Sequence, residues 1–256
     1  MAGSTRIALR FEPLHERTVP SVTVVQNGGM LTVTGDQFAN DVQIKDDGTT
    51  TGLSVAVDGT NYSLTGAVDM VVVQTKGGAD NVSYTLTGDY AGTTRVVEVF
   101  LGNGNDTFTA DLGHGIAADS TLGLQVKGGN GKDTLTVTGA GGSAVAGTLA
   151  VELDGGNGMD AISFSYAAEV DGSLTFVADG GNGKDTISGN LTVAANSTGS
   201  VTAHVLGGNG KDDLGLSVTG DGLAGLSALD ASINGGHGKD TVHATDNVTV
   251  LDADKK

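Results

Sequence analysis

Seven aspartates close near-identical turns at an almost constant interval, and that interval limits the fold more than any other feature of the chain. Asp80, Asp106, Asp133, Asp160, Asp185, Asp212 and Asp240 are separated by 26, 27, 27, 25, 27 and 28 residues. The fullest turns read GGNGKDTL at 128–135, GGNGKDTI at 180–187, GGNGKDDL at 207–214 and GGNGMDAI at 155–162. A period near 27 is too long for one strand and a turn. It matches one full coil of a β-solenoid, in which each repeat buries its apolar face only by stacking on its neighbours.

The flanks of the turns say the same. Ahead of them apolar residues alternate, as in Leu122, Leu124, Val126 and Leu149, Val151, Leu153; behind them come Leu135 and Val137, or Leu214, Leu216 and Val218. Period two on both sides predicts two strands per coil, each with one buried face. The remaining stretch, such as residues 139–148 or 189–200, is rich in Gly, Ala, Ser and Asn and reads as a loop or a weak third strand. The expected architecture is all-β: a parallel β-helix of ~27-residue coils with one glycine turn per coil. Seven coils at a strand spacing of ~4.8 Å would make a rod about 34 Å long. Residues 76–256 form the regular repeats, 22–75 an irregular first coil or hairpin cap, and 1–21 an extended arm.

Composition narrows the function. The net charge of −17 disfavours nucleic acid and anionic membranes as partners and favours cations. No cysteine is present, which excludes disulfides and thiolate metal sites. No apolar run is long enough to span a bilayer, and residues 7–11 are too short an apolar stretch for a conventional signal peptide.

Parallel stacking turns equivalent residues into columns. Carboxylates stacked at strand spacing repel by roughly 3 kcal/mol per neighbouring pair at an effective dielectric near 20, so the aspartate column calls for a counter-charge. Calcium suits it, because it accepts several oxygen ligands including backbone carbonyls, and glycine lets carbonyls approach an ion. The competing reading is a bare turn ladder, partly screened by Lys132, Lys184, Lys211 and Lys239, each of which precedes its aspartate.

These turns, with GGHGKDTV at 235–242, resemble the GGxGxDxUx nonapeptide of RTX calcium-binding β-rolls, where U is a large apolar residue. The resemblance implies calcium ions between successive loops, held by Asp106, Asp133, Asp160, Asp185, Asp212 and Asp240. It implies the same for loop carbonyls, those of Gly104, Gly131, Gly158, Gly183, Gly210 and Gly238 among them. RTX nonapeptides run in tandem, whereas here one copy occurs per coil, so the expected body is a wider helix with a single RTX-like edge. The turn at 76–80, KGGAD, departs furthest from the pattern, and 101–106, LGNGND, lacks the first glycine.

Two more columns follow. Asn103, Asn130, Asn157, Asn182 and Asn209, ended by His237, line the same turns; they are candidate ion neighbours, and stacked amides also form hydrogen-bonded ladders. Thr107 and Thr109, Thr134 and Thr136, Ser163, Thr186 and Ser188, and Thr241 form a hydroxyl face that resembles ice-binding surfaces, interrupted by Asp213, Gly215 and His243. An enzyme is not expected. Glu98 and Glu152 are candidate carboxylates of a carbohydrate-active helix, but they lie two coils apart, no tryptophan can stack a sugar, and no nucleophile or phosphate-loop motif occurs.

At the N-terminus, residues 10–21, RFEPLHERTVPS, resemble the LExLExRxVPS segment of large secreted repeat proteins of planctomycete bacteria. Together with the calcium loops this implies an extracellular or cell-surface location. Ile7, Leu9 and Phe11 also alternate as a strand would. A solenoid exposes unpaired backbone at its ends, so a cap or head-to-tail self-association into fibres is expected. The function implied is a secreted, calcium-binding structural solenoid of a matrix or filament. The alternatives are a calcium-independent adhesin or structural helix, and less favourably an ice-binding or carbohydrate-active one.

Overall fold

The computed structural model describes residues 22–139 and 144–251. The N-terminal arm with its sorting-like segment, residues 140–143 of one loop and the charged tail after Leu251 lie outside them. The described chain is a parallel β-solenoid of about six coils with the ~27-residue spacing expected. Two sheets, of 13 and 11 strands, face each other across the core.

Each regular coil contributes a strand ahead of the glycine turn to a leading sheet and a strand after it to a trailing sheet. Thr121–Gly131 and Thr134–Gly139 are one such pair, Thr148–Gly158 and Ala161–Val170 the next. Register follows the period residue by residue: Leu122 lies over Leu149, Leu174 and Val201, and Leu135 over Ile162, Ile187 and Leu214. The alternating apolar residues are therefore the buried ones, and the core is continuous along the rod. The stretch read as a loop or third strand is divided in two. Thr186–Val193 is all one trailing strand, and only residues 194–199 form the loop back to the leading sheet.

Aromatic residues are fitted by glycines in the same column. Phe164 pairs with Gly189 in register and stacks on Phe176 with ring centroids 5.0 Å apart. A Cβ on Gly189 would stand 2.2 Å from the Phe164 ring.

The N-terminal region is both a coil and a cap. Met30–Thr34 and Asp41–Asp46 pair in parallel with Met70–Gln74 and Asn81–Leu86, which makes them a genuine coil. Antiparallel strands finish both sheets, Thr23–Asn27 on the leading one and Leu53–Val57 with Thr60–Tyr62 on the trailing one. A copy stacking head to tail on this end would meet those antiparallel edges.

One ionic pair is buried inside this region. Arg95 fills the inward column occupied by Leu122 in the next coil, and Asp46 stands beside Leu86. The two side chains are ion-paired and fully buried. Tyr84 and Tyr90 donate their hydroxyls to Asp46 Oδ2 at 2.6 and 2.5 Å, and Arg95 Nε donates to the Val68 carbonyl at 2.8 Å. Arg95 also donates to the Thr49 carbonyl at 3.0 Å. The pair thereby ties the first coil and the inserted hairpin to the strand Thr94–Gly104 that opens the third coil.

Candidate metal centre

The aspartate column lies inside the turn edge. Asp80, Asp106, Asp133, Asp160, Asp185 and Asp212 are all at most 2% exposed, and Asp240 is half-buried. Each is joined to the previous coil in one way: the backbone N–H of one aspartate donates to Oδ1 of the next. The bonds from Asp80 to Asp106, Asp106 to Asp133, Asp133 to Asp160, Asp160 to Asp185 and Asp185 to Asp212 are 2.8 Å, and that from Asp212 to Asp240 is 2.9 Å. At the N-terminal end the Asn40 N–H donates to Asp80 Oδ1 at 2.8 Å.

The other oxygen is unpaired throughout. Oδ2 of all seven aspartates is buried and has no hydrogen-bond partner. A buried carboxylate oxygen left in this way normally costs several kcal/mol, unless a proton or a cation answers it. Burial accordingly pushes Asp80, Asp106, Asp133, Asp160 and Asp212 above the usual carboxylate range, against the opposing pull of the backbone N–H, and pushes Asp185 up to about 6.

The first glycine of each turn explains where Oδ2 points. A Cβ on Gly128 would lie 2.6 Å from Asp133 Oδ2 and 2.5 Å from the carbonyl oxygen of Gly155 in the next coil. On Gly155 the distances are 2.8 Å to Asp160 Oδ2 and 2.8 Å to the Gly180 oxygen; on Gly180, 2.8 Å to both Asp185 Oδ2 and the Gly207 oxygen. On Gly207 they are 2.9 Å to Asp212 Oδ2 and 2.4 Å to the Gly235 oxygen. At four successive turns, then, a carboxylate oxygen and a carbonyl oxygen of the next coil face one point that any side chain would block. Among the described residues no three acidic or imidazole groups converge. An ion at such a point would meet one carboxylate oxygen and one carbonyl oxygen, both of the hard type that a cation such as calcium takes.

The remaining candidate residues are placed differently. Gly104, Gly131, Gly158, Gly183 and Gly210 each present their carbonyl to the last glycine of the next coil's turn, where a Cβ would stand 1.4–1.5 Å from the oxygen. Their role is close stacking, and the carbonyls facing Oδ2 belong to the first glycines instead. Asn103, Asn130, Asn157, Asn182 and Asn209 are exposed and do not join the carboxylates. Nδ2 of each of Asn130, Asn157, Asn182 and Asn209 donates to Oδ1 of the preceding asparagine at 2.8–2.9 Å. His237 continues this column in register beside Asn209.

Asp80, left out of the ion-holding set for its degenerate turn, is as buried and as bonded as the other rungs. One further rung was not apparent from the sequence. Asn40-Asp41-Val42-Gln43-Ile44 echoes Asn105-Asp106-Thr107-Phe108-Thr109, which would put Asp41 in the column, but register pairs Asp41 with Asn81, and Asn81 with Thr107, which puts Asn40 there. Inward Val42 and Phe108 must coincide, and that decides the shift.

Elsewhere, Glu98, Gln125 and Glu152 line up on the outer face of the leading sheet, where Gln125 Nε2 donates to Glu152 at 2.7 Å beside a shallow trough of about 250 Å³. The hydroxyl residues after the turn occupy two neighbouring columns: Thr107, Thr134, Thr186 and Thr241 share one with Ala161 and Asp213, and Thr109, Thr136, Ser163 and Ser188 share the other with Gly215 and His243. Large apolar side chains are exposed at the two ends, Val25, Met30, Val250 and Leu251, and singly at Phe38, Val96 and Met159. No protein family matches the chain, and no curated protein or solved structure does. Fold and site together define a structural β-solenoid with one buried acidic column.

Proposed function

We propose that the chain is a calcium-dependent structural solenoid of the cell exterior, with ions seated along the aspartate column. The observation that carries this reading is the row of seven buried, unpaired Oδ2 atoms, four of which share a point with a glycine carbonyl of the following coil. The residues holding the ions are Asp133, Asp160, Asp185 and Asp212 with the carbonyls of Gly155, Gly180, Gly207 and Gly235; the remaining aspartates extend the column with fewer ligands. A bound divalent ion supplies the counter-charge that lets the carboxylates stay ionised inside the fold. The likeness of the turns to RTX loops supports calcium, and loops of this kind are most useful where calcium is millimolar, outside the cell. The chain acts as a scaffold, without catalysis.

The second reading is a calcium-independent ladder, favoured by Asn40, which holds its place in the column with a neutral side chain. Chelator-stripped protein titrated with calcium, with magnesium as control, separates the two. A calcium-specific gain in β-structure or melting temperature, with bound ions counted by calorimetry, supports the ion column. An unchanged spectrum and melt with no heat of binding sinks it.

A further inference from the structure

We propose that the turn edge of one chain docks laterally on the loop edge of a second copy once the aspartate column carries its cations. This rests on the calcium reading above. The two long edges of the solenoid differ in charge. Lys132, Lys184, Lys211 and Lys239 are exposed on the turn edge, and the paired residues on both sides of them fix their stacking, Gly183 over Gly210 and Gly238, and Thr186 over Asp213 and Thr241. Met159 fills the place between Lys132 and Lys184. None of these lysines is ion-paired with a described residue.

The opposite edge, where trailing strands return to the leading sheet, is acidic. Asp89, Asp119, Asp171, Asp221 and Asp246 are exposed there, and no lysine or arginine occurs in those loops. Three of these carboxylates are held by the adjacent coil: Gly115 N–H donates to Asp89 at 2.8 Å, Gly92 N–H to Asp119 at 3.2 Å and the Thr198 hydroxyl to Asp171 at 2.9 Å. The lysines recur with the coil repeat, ~4.8 Å per coil, while the acids sit at different places within their loops, Asp89 before and Asp171 after the column of Tyr90, Ile116, Val145 and Val170. Two rods lying side by side can bring them together over several coils.

The column decides when this happens. Seven buried carboxylates directly behind the lysines leave the edge negative when they are ionised and without cations. Divalent ions at the four points described, eight positive charges against seven negative ones, reverse its sign. The contact joins different surfaces of identical chains and is not closed by rotation, so it propagates into a ribbon or layer. This lateral growth takes the place of end-to-end stacking, which the antiparallel strands of the N-terminal end do not favour.

Sedimentation velocity and thermal melts on the full chain, in chelator and in millimolar calcium chloride, test it. Three samples suffice: wild type, Lys184→Gln/Lys211→Gln/Lys239→Gln, and Asp171→Asn/Asp221→Asn. Wild type should sediment as a monomer in chelator and as large species in calcium, returning to monomer near 1 M salt, where the Debye length is about 3 Å. Both variants should keep the calcium-induced rise in melting temperature yet associate at least tenfold more weakly. Wild type that shows the rise but remains monomeric overturns lateral docking and leaves the ion column standing. A lysine variant that assembles like wild type overturns it too, since the contact then lies elsewhere. No rise in any sample removes the ion column and this inference with it.

Discussion

The backbone N–H of Asp133 donates to Oδ1 of Asp160, 27 residues later, at 2.8 Å, while Oδ2 of Asp160 has no partner. Each carboxylate in the column is divided in this manner, one oxygen serving the fold and one left unpaired, and at Asp133, Asp160, Asp185 and Asp212 the unpaired one faces the glycine carbonyl beyond it. Asparagine can serve the first role but not the second.

Asp133→Asn therefore separates the two. The amide oxygen still accepts from Asp106, and the amide nitrogen faces the Gly155 carbonyl as a donor. In chelator the variant should be as stable as wild type or more so, by up to about 1–3 kcal/mol for the relieved buried oxygen. In calcium it should be the less stable protein. At about 2–4 °C per kcal/mol for a chain of this size, melting curves resolve both signs. A variant destabilised equally in both conditions would show that the carboxylate is purely a hydrogen-bonding rung.

The same column sets a pH dependence. A carboxyl whose folded pKa exceeds its unfolded value holds its proton more tightly when folded. Its stabilisation is complete below the unfolded value near ~4 and is lost as pH rises through the folded one. Burial raises Asp80, Asp106, Asp133, Asp160, Asp185 and Asp212, Asp185 to about 6, so the window runs from ~4 to about 6. The chelated protein should melt higher at about pH 5 than at about pH 7.5, and calcium should raise the melting temperature more at the higher pH. Asp47, lowered by its bonds to Thr49, acts in the opposite sense only at lower pH. A chelated protein whose melting temperature rises from pH 5 to 7.5 would contradict this account of the column.

Much of this was legible because a period of 27 and an alternation of two act together: once coils stack in register, every column is named by the sequence. Leu122, Leu149 and Leu174 fall together for that reason. The column of Asn130, Asn157 and Asn182 could be listed, but not whether its amides would face an ion or one another. Which carbonyl faces a carboxylate depends on the path of the turn, so the first glycines escaped notice while the last ones drew attention. Asn40 was hidden because the inserted hairpin stretches its interval to Asp80 to 40 residues and the local echo is one residue out of step. Arg95 alternates with Val97 and Val99 and was readable as inward, but its partner Asp46 lies 49 residues away in a segment outside the regular period.

Glycine tolerance should vary sharply by position. Gly131 has φ +143°, and a Cβ there would lie 1.4 Å from the Gly104 oxygen. Gly131→Ala should cost at least the ~1–3 kcal/mol of an overpacked site, with the coil spacing disturbed on both sides. Gly123→Ala is the control: its nearest contact would be 3.8 Å away at Val96, and the residue in register is already Ala150. Urea denaturation should find Gly123→Ala neutral within about 0.5 kcal/mol. Equal effects at the two positions would mean that the turns do not stack as closely as described.

The buried pair of Arg95 and Asp46 gives the last test, and the neighbouring coils supply the substitutions. Leucine stands beside each in register, Leu122 next to Arg95 and Leu86 next to Asp46. Arg95→Leu alone strands a buried carboxylate, which costs about 3–5 kcal/mol when a partner is removed. Arg95→Leu/Asp46→Leu removes both charges and should recover most of that loss, because desolvating two ions offsets much of their attraction. Adding Tyr84→Phe and Tyr90→Phe clears the hydroxyls that bonded to Asp46 and should recover the rest. Urea unfolding of the series measures this directly. If the double variant is no more stable than Arg95→Leu, the leucines do not pack where the ion pair stood. The role of Arg95 would then lie in the carbonyls of Thr49 and Val68, which hold the inserted hairpin on the first coil.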